Sequence, residues 1–200
     1  MFLLRMIPAL ALLLVGVSAP SAASADTWVI DGAHSSVGFK VRHLSMAWVR
    51  GTFDAVQGSV DFDGKDLAKA STEVTIDTAS INTKDKKRDE HLRSPDFFDV
   101  ATFPTMTFKS KSIQPGEGDA FVIVGDLTMH GVTKEVTLAV EGGITPVTDP
   151  WGNTKLGFSA AAVLARKDFG ITWNNSLDGG GLVVGEEVHL VLEVELNKSK

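Results

Sequence analysis

Apolar and polar residues alternate along most of this chain with a period of two, as in strands that keep one dry face and one wet face. In Val37-Gly38-Phe39-Lys40-Val41-Arg42-His43 the apolar positions are odd and Lys40 and Arg42 are even, so the dry face ends in a histidine. The pattern returns in Glu73 to Asp77, where Val74 and Ile76 share a face, and in Thr105 to Lys109, where Met106 and Phe108 do. Longer stripes follow through Phe121, Ile123, Gly125, Leu127 and Met129, then Leu156, Phe158, Ala160, Ala162 and Leu164, then Val188, Leu190, Leu192, Val194 and Leu196. Between Phe53 and Phe62 the parity changes from odd to even, which predicts a β-bulge near residues 55–58. Gly131, between two alternating runs, predicts a tight antiparallel hairpin over residues 129–134. Polar clusters near residues 63–71, 114–119 and 145–155 read as turns.

Only residues 83–93 read as a helix, with Thr83 as N-cap, acids early, Arg93 late and Pro95 as the stop. Leu92 is its one large apolar residue, so it belongs on the surface or across an opening. About eight strands in hairpin order predict an all-β fold in one domain, residues 26–200. A sandwich and a closed barrel both fit that period. The mixture of Phe and Met with Gly125, Ala160 and Ala162 on the dry faces favours an antiparallel eight-stranded barrel with space left inside.

Residues 1–25 fall outside this pattern. Arg5 precedes an apolar stretch from Met6 to Val17 and a run of small residues ending at Ala25, the layout of a cleaved secretory signal. Cleavage is expected after Ala25, with Ala23 as the alternative. The stretch is shorter than the roughly 18–20 apolar residues that cross a bilayer. Removing it costs one base, so the mature chain carries 18 bases against 25 acids and a formal charge of -7. That balance argues against a nucleic-acid partner. With no cysteine in the chain, disulfides, thiolate metal clusters and a Cys nucleophile are excluded.

The chain has no G-x-S-x-G elbow, phosphate loop or strand-linked G-x-G-x-x-G, and its five histidines lack zinc-ligand spacing. His130, in a turn, and His189, on a wet face, are expected to be solvated. His34 stands beside Asp31 and Ser35, but adjacency along a strand does not make a triad. His43 reads either as a core histidine bonded to backbone or as a polar group at the edge of an apolar cavity. Arg88, His91 and Arg93 read as solvated helix charges, or as contacts for an anionic head group if that helix covers the barrel end. Arg166 continues the parity of residues 156–164 and marks a strand end. Phe97, Phe98, Phe103, Phe158, Phe169 and Trp173 read as core, or as ligand contacts if the barrel is roomy.

Several segments carry a resemblance. Asp31-Gly32-Ala33-His34-Ser35-Ser36-Val37-Gly38-Phe39 with His43, Gly51-Thr52-Phe53, and Arg88 through Asp99 are similar to the YceI-like family of bacterial exported proteins. So are Phe103 through Phe108, Gly125 through Lys134, and Arg166-Lys167-Asp168-Phe169-Gly170, in the family's order. The resemblance implies a lipocalin-like extended barrel in the periplasm that holds a polyisoprenoid, a polyprenyl phosphate or a quinone tail, with no established catalytic residue. On that reading the chain is a binding protein and not an enzyme and needs no cofactor or metal; the apolar stripes and the charge of -7, which disfavours adhesion to anionic lipid, predict a carrier or buffer of an isoprenoid lipid that touches membranes transiently. Whether it forms a homodimer stays open.

Parity places the pocket at Val37, Phe39, Val41, His43, Phe53, Ile76, Met106, Phe108, Leu127, Met129, Phe158, Phe169 and Trp173, with Arg88, His91, Arg93 and Arg166 as head-group candidates. Two alternatives stand beside it: an envelope stress-response interaction domain with a solidly packed barrel, and an enzyme acting on a lipid head group. Gly179-Gly180-Gly181 suggests a mobile loop.

Overall fold

A computed structural model describes residues 25–177 and 180–199. The expected leader, apart from Ala25, and Gly179 of the glycine run lie outside the described residues. Eleven strands form one antiparallel sheet: β1 (Asp26–Ile30), β2 (Ser36–His43), β3 (Ala47–Phe53), β4 (Val56–Phe62), β5 (Ser71–Asp77), β6 (Ile81–Asn82), β7 (Thr105–Pro115), β8 (Ala120–Met129), β9 (Val132–Thr148), β10 (Thr154–Ala165) and β11 (Val184–Lys198).

The eleven strands make eight staves, because the first three staves are each broken in two. β1 and β2 both lie along β11; β3 pairs with β2 while β4 pairs with β1; β6 pairs with β3 while β5 pairs with β4. The other staves follow as hairpin neighbours, and β11 closes the ring on β1 and β2. The result is an up-and-down barrel, whose closure pairs the staves into a ring.

The parity change after Phe53 is one of these breaks. The chain does not bulge against a single partner there; it leaves β3 at Asp54 and starts β4 at Val56, and each half has its own neighbours. Phe53 and Val56 can then both face inward. Backbone bonds from Asp54 to Ser80 and from Asp77 to Ala55 tie this break to the one between β5 and β6. The 129–134 hairpin is as expected, with His130 and Gly131 both at positive φ. The turn expected from residue 145 is shorter, since β9 runs on to Thr148.

The helix α1 (Lys86–Arg93) starts later than the sequence pattern predicts. Lys84 takes a positive φ, Asp85 is extended, and the Asp85 carboxylate accepts the Arg88 N–H as the actual N-cap. Thr83 is instead buried, its N–H and hydroxyl both donating to Asp89 Oδ1 at 2.8 and 2.5 Å. That buried carboxylate pins the highly charged helix to the barrel. Leu92, Phe97 and Phe98, on and just after the helix, then face the interior at this end. At the opposite end Trp28, Phe62, Leu156 and Leu196 form a separate cluster, where the Trp28 indole donates to the Phe62 carbonyl.

Candidate functional site: an apolar cavity along the barrel axis

The barrel is hollow. Its interior holds a cavity of about 240 Å³, far above the ~10–15 Å³ that one water needs by the same measure. On β11 the wall runs from Val184 to Leu196, through Val188, Leu190, Leu192 and Val194. The bulge between Val184 and Val188 takes up two of the twelve residue steps, and the remaining ten at ~3.3 Å, tilted by ~40°, give an axial length of about 25 Å. That length is somewhat below the hydrocarbon thickness of a bilayer.

The wall is almost wholly apolar. Ser35 and Thr72 lie on it with their hydroxyls committed, the first to the backbone of Glu195 and the second to the Ser59 carbonyl. Among the described residues Arg166 is the one ionisable residue on the wall, and it is 4% exposed. Its guanidinium donates to the carbonyls of Gly185 (2.9 Å), Ile171 (2.9 Å) and Val184 (3.4 Å), and no carboxylate lies within salt-bridge distance among the described residues. Burial lowers its pKa from the usual guanidinium value, and the charge of Glu186 offsets part of that. A buried cation held by carbonyl dipoles alone leaves room for a counter-charge.

Val37, Phe39, Val41, Phe53, Ile76, Met106, Phe108, Leu127, Met129 and Phe158 all lie on the cavity wall. Three others assigned by parity do not. His43 is exposed, because β2 ends there and a three-residue turn through Leu44, Ser45 and Met46 carries the chain past the rim. Phe169 is 2% exposed and belongs to the packed core under the turn at residues 166–169, where its carbonyl lies 3.2 Å from His130 Nδ1. Trp173 is half-buried outside the cavity, packed on His91 and Phe97 with ring centroids 4.8 and 5.1 Å apart.

Of the four head-group candidates only Arg166 reaches the cavity. Arg88 donates to the Thr83 hydroxyl and carbonyl, and Arg93 to the carbonyls of Ala79 and Ile81, so both staple the helix to the stave break. His91 is 2.8 Å from Asp96 and edge-on to Phe97 and Trp173. Sequence parity missed wall residues carried by turns and helix, among them Leu67, Leu92 and Ile171, which have no alternating neighbours to reveal them.

The remaining histidines also depart from expectation. His130 is half-buried against Phe103, and His189 packs edge-on to Trp48 on the outer face, so neither is simply solvated. His34 is bonded to Asp31 at 2.9 Å, but the Ser35 hydroxyl turns away to Glu195 backbone, so no triad assembles. Asp31, His34 and Glu195 lie close enough to hold a metal, yet Lys155 Nζ already sits 2.7 Å from Asp31 and 3.2 Å from Glu195.

Two glycines show how the wall is kept smooth. A Cβ on Gly51 would meet the Phe39 ring at 2.5 Å, and one on Gly125 would meet the Phe108 ring at the same distance. Gly125 is therefore not an empty gap, as the residue pattern suggested, but the bed on which Phe108 lies. Ala160, opposite Val140 and Leu192, does leave space on the wall.

These features define an up-and-down β-barrel built around an elongated apolar cavity with a buried cation, Arg166, at one end. The pattern of a YceI-like domain matches residues 28–196, and the chain belongs to that family. Protein YceI of Escherichia coli O157:H7 is 42% identical over 180 residues, covering 89% of this chain and 90% of its own. A UPF0312 protein of Vibrio cholerae is 38% identical over 176 residues, covering 87% and 90%. Among solved structures, the YceI protein of Campylobacter jejuni superposes with a TM-score of 0.67 at 34% identity, covering 85% of this chain and 96% of that one. BcnA of Burkholderia cenocepacia gives 0.71 at 26% identity, covering 83% and 98%. A domain of Saccharophagus degradans described as polyisoprenoid-binding gives 0.63 at 14% identity, covering 88% and 99%, a likeness of fold.

Proposed function

We propose that this protein is an exported, periplasmic carrier or buffer that holds an isoprenoid chain in its barrel, with the head group toward Arg166. The observation that carries the reading is the cavity: about 240 Å³, apolar along its length, with a buried guanidinium that has no carboxylate partner among the described residues. A polyisoprenoid offers almost no hydrogen bonds, so its receptor must work by apolar area and length. Each buried methylene-sized group is worth about 0.8 kcal/mol against water, so each five-carbon unit contributes up to roughly 4 kcal/mol. Three or four units outweigh an association cost of about 4–15 kcal/mol. Against a bilayer, which is equally apolar, the gain falls toward zero. Retention then depends on shape and head group, and exchange requires contact with a membrane.

The hollow interior weighs against the packed interaction domain. It also weighs against turnover of a head group, since His43, Arg88 and His91, which such an enzyme would need, stand off the cavity wall. The fold likeness to a domain described as polyisoprenoid-binding is consistent with the cargo class.

The test is organic extraction of the protein purified without detergent from a bacterial periplasm, followed by mass spectrometry. An isoprenoid in roughly molar proportion is expected. A clean extract that stays clean after incubation with quinones and polyprenyl phosphates overturns the reading. In the same assay Arg166→Met should lower the share of anionic over neutral isoprenoid; an unchanged ratio removes the head-group role of Arg166.

A further inference from the structure

We propose that the outer face of the β2–β3 hairpin, centred on Trp48, is the surface by which this protein docks on an anionic phospholipid bilayer. Six lysines of the barrel are neutralised in ion pairs. Lys69, Lys109, Lys111, Lys155, Lys167 and Lys198 each have a carboxylate within salt-bridge distance. On the hairpin, Lys40, Arg42 and Arg50 have none among the described residues; the same holds for Lys65, Lys84, Lys86, Lys87, Arg88, Arg93, Lys134 and Arg166, and the hairpin differs in that two of its cations stand over one indole.

Two of these cations, Lys40 and Arg42, flank one aromatic side chain. Arg42 stands 4.1 Å and Lys40 5.0 Å from the Trp48 ring, and His189 packs on it edge-on at 4.9 Å. Arg42 is cross-strand from Trp48 and Lys40 from Arg50, so all four residues share the outward face. Beside them on the same face Val191 and Val163 are exposed. The tip adds Met46, 73% exposed, presented by a turn in which Leu44 and Ser45 both take positive φ, a conformation that disfavours leucine.

An indole flanked by Lys and Arg, with an exposed methionine projecting beyond, combines the chemistries that a lipid interface rewards: an amphipathic ring at head-group depth and cations for phosphates. The acids nearest in sequence register are Glu186 and Glu187, exposed in the β11 bulge opposite Arg42, with Glu186 paired to Lys167, and Asp54, whose carboxylate accepts from Asn82 and Thr52. Net charge does not forbid such a contact. At physiological salt charges are screened over about 8 Å, so a bilayer at contact range responds to the local patch. The patch also lies at the right end. Val41 and Val184, on the inner side of the same staves, line the cavity beside Arg166, so docking here would bring the polar end of the cargo toward the head groups.

This deepens the carrier reading and rests on it. The test is co-sedimentation of the mature chain with vesicles of phosphatidylcholine alone or mixed with phosphatidylglycerol, at low and physiological salt. Binding is expected only to the phosphatidylglycerol vesicles, and to weaken with salt. Each cation near such a surface is worth about fivefold in binding. The triple variant Lys40→Gln, Arg42→Gln, Arg50→Gln should therefore lose on the order of tenfold or more, and Trp48→Ala severalfold. Trp151→Ala, which removes an 84%-exposed indole at the opposite end, should change nothing. Melting curves confirm that each variant is folded.

Equal binding to neutral vesicles, an unchanged triple variant, an equal loss with Trp151→Ala, or no binding at all overturns the docking face. So does capture of an acidic protein by this patch without vesicle binding. An isoprenoid in the extract with no vesicle binding removes the docking face alone, whereas vesicle binding with an empty extract removes the cargo.

Discussion

Replacing Ala160 by phenylalanine separates a hollow barrel from a packed one. Ala160 is 6% exposed, lies on the cavity wall, and sits between Val140 and Leu192 in the sheet register. In a close-packed interior the added ring would force neighbours off their rotamers, at a cost of about 1–3 kcal/mol or more. Here the ring enters empty apolar space. Burying a phenylalanine side chain is worth about 1.5–3 kcal/mol over leaving it exposed, so a net gain of up to about 2 kcal/mol is available. For a domain of this size that corresponds to a Tm rise of up to roughly 4–8 °C.

The comparison must use delipidated wild type, because bound ligand stabilises the native state by mass action. Differential scanning calorimetry reads the melting temperature, and titration with an apolar fluorescent probe, followed by extraction and mass spectrometry, reads the cavity. The expected result is a Tm equal to or above that of empty wild type, with most of the probe binding gone. A Tm several degrees lower, with probe binding intact, would show that the space beside Ala160 is already filled and that the carrier reading starts from a false premise.

Other consequences are as direct. Gly51→Ala should destabilise the barrel by about 1–3 kcal/mol by driving a Cβ into the Phe39 ring, and Phe39→Leu in that background should recover part of the loss in chemical denaturation. Asp89→Ala removes the buried acceptor of two Thr83 bonds and should cost about 2–4 kcal/mol, with faster amide exchange concentrated in α1 and residues 94–103. Asp31 is held well below the usual carboxylate pKa by its hydrogen bonds with Lys155, first, and His34, so its contribution is present above about pH 4 and is lost as pH falls further. Asp31→Asn should therefore be less stable than wild type at neutral pH, and the gap should narrow below pH ~4 in a series of denaturant midpoints.

The two-residue period told which side chains of each long strand share a face, and hence most of the cavity wall, because every second residue on a pleated strand must point the same way. It carried Val37, Phe39 and Val41 inward and Lys40 and Arg42 outward without any knowledge of neighbours. It misplaced His43 because parity continues past the point where a strand leaves the barrel, and only the hairpin geometry shows where the rim lies. It placed Thr83 as a helix cap because a local pattern cannot reveal that this residue is buried against Asp89.

Whether the dry faces fill their enclosure or surround a void is also outside the reach of local pattern. That depends on how eight staves close and on which rings lie over which glycines, as Phe108 does over Gly125. Arg166 makes the same point from the polar side. Its position in the sequence marked a strand end, but its lack of a carboxylate partner is set by residues 171, 184 and 185, which approach it only in the folded barrel. Face assignment follows from backbone stereochemistry and is written into the order of residues, while closure, hollowness and the pairing of charges are properties of distances between segments far apart in the chain.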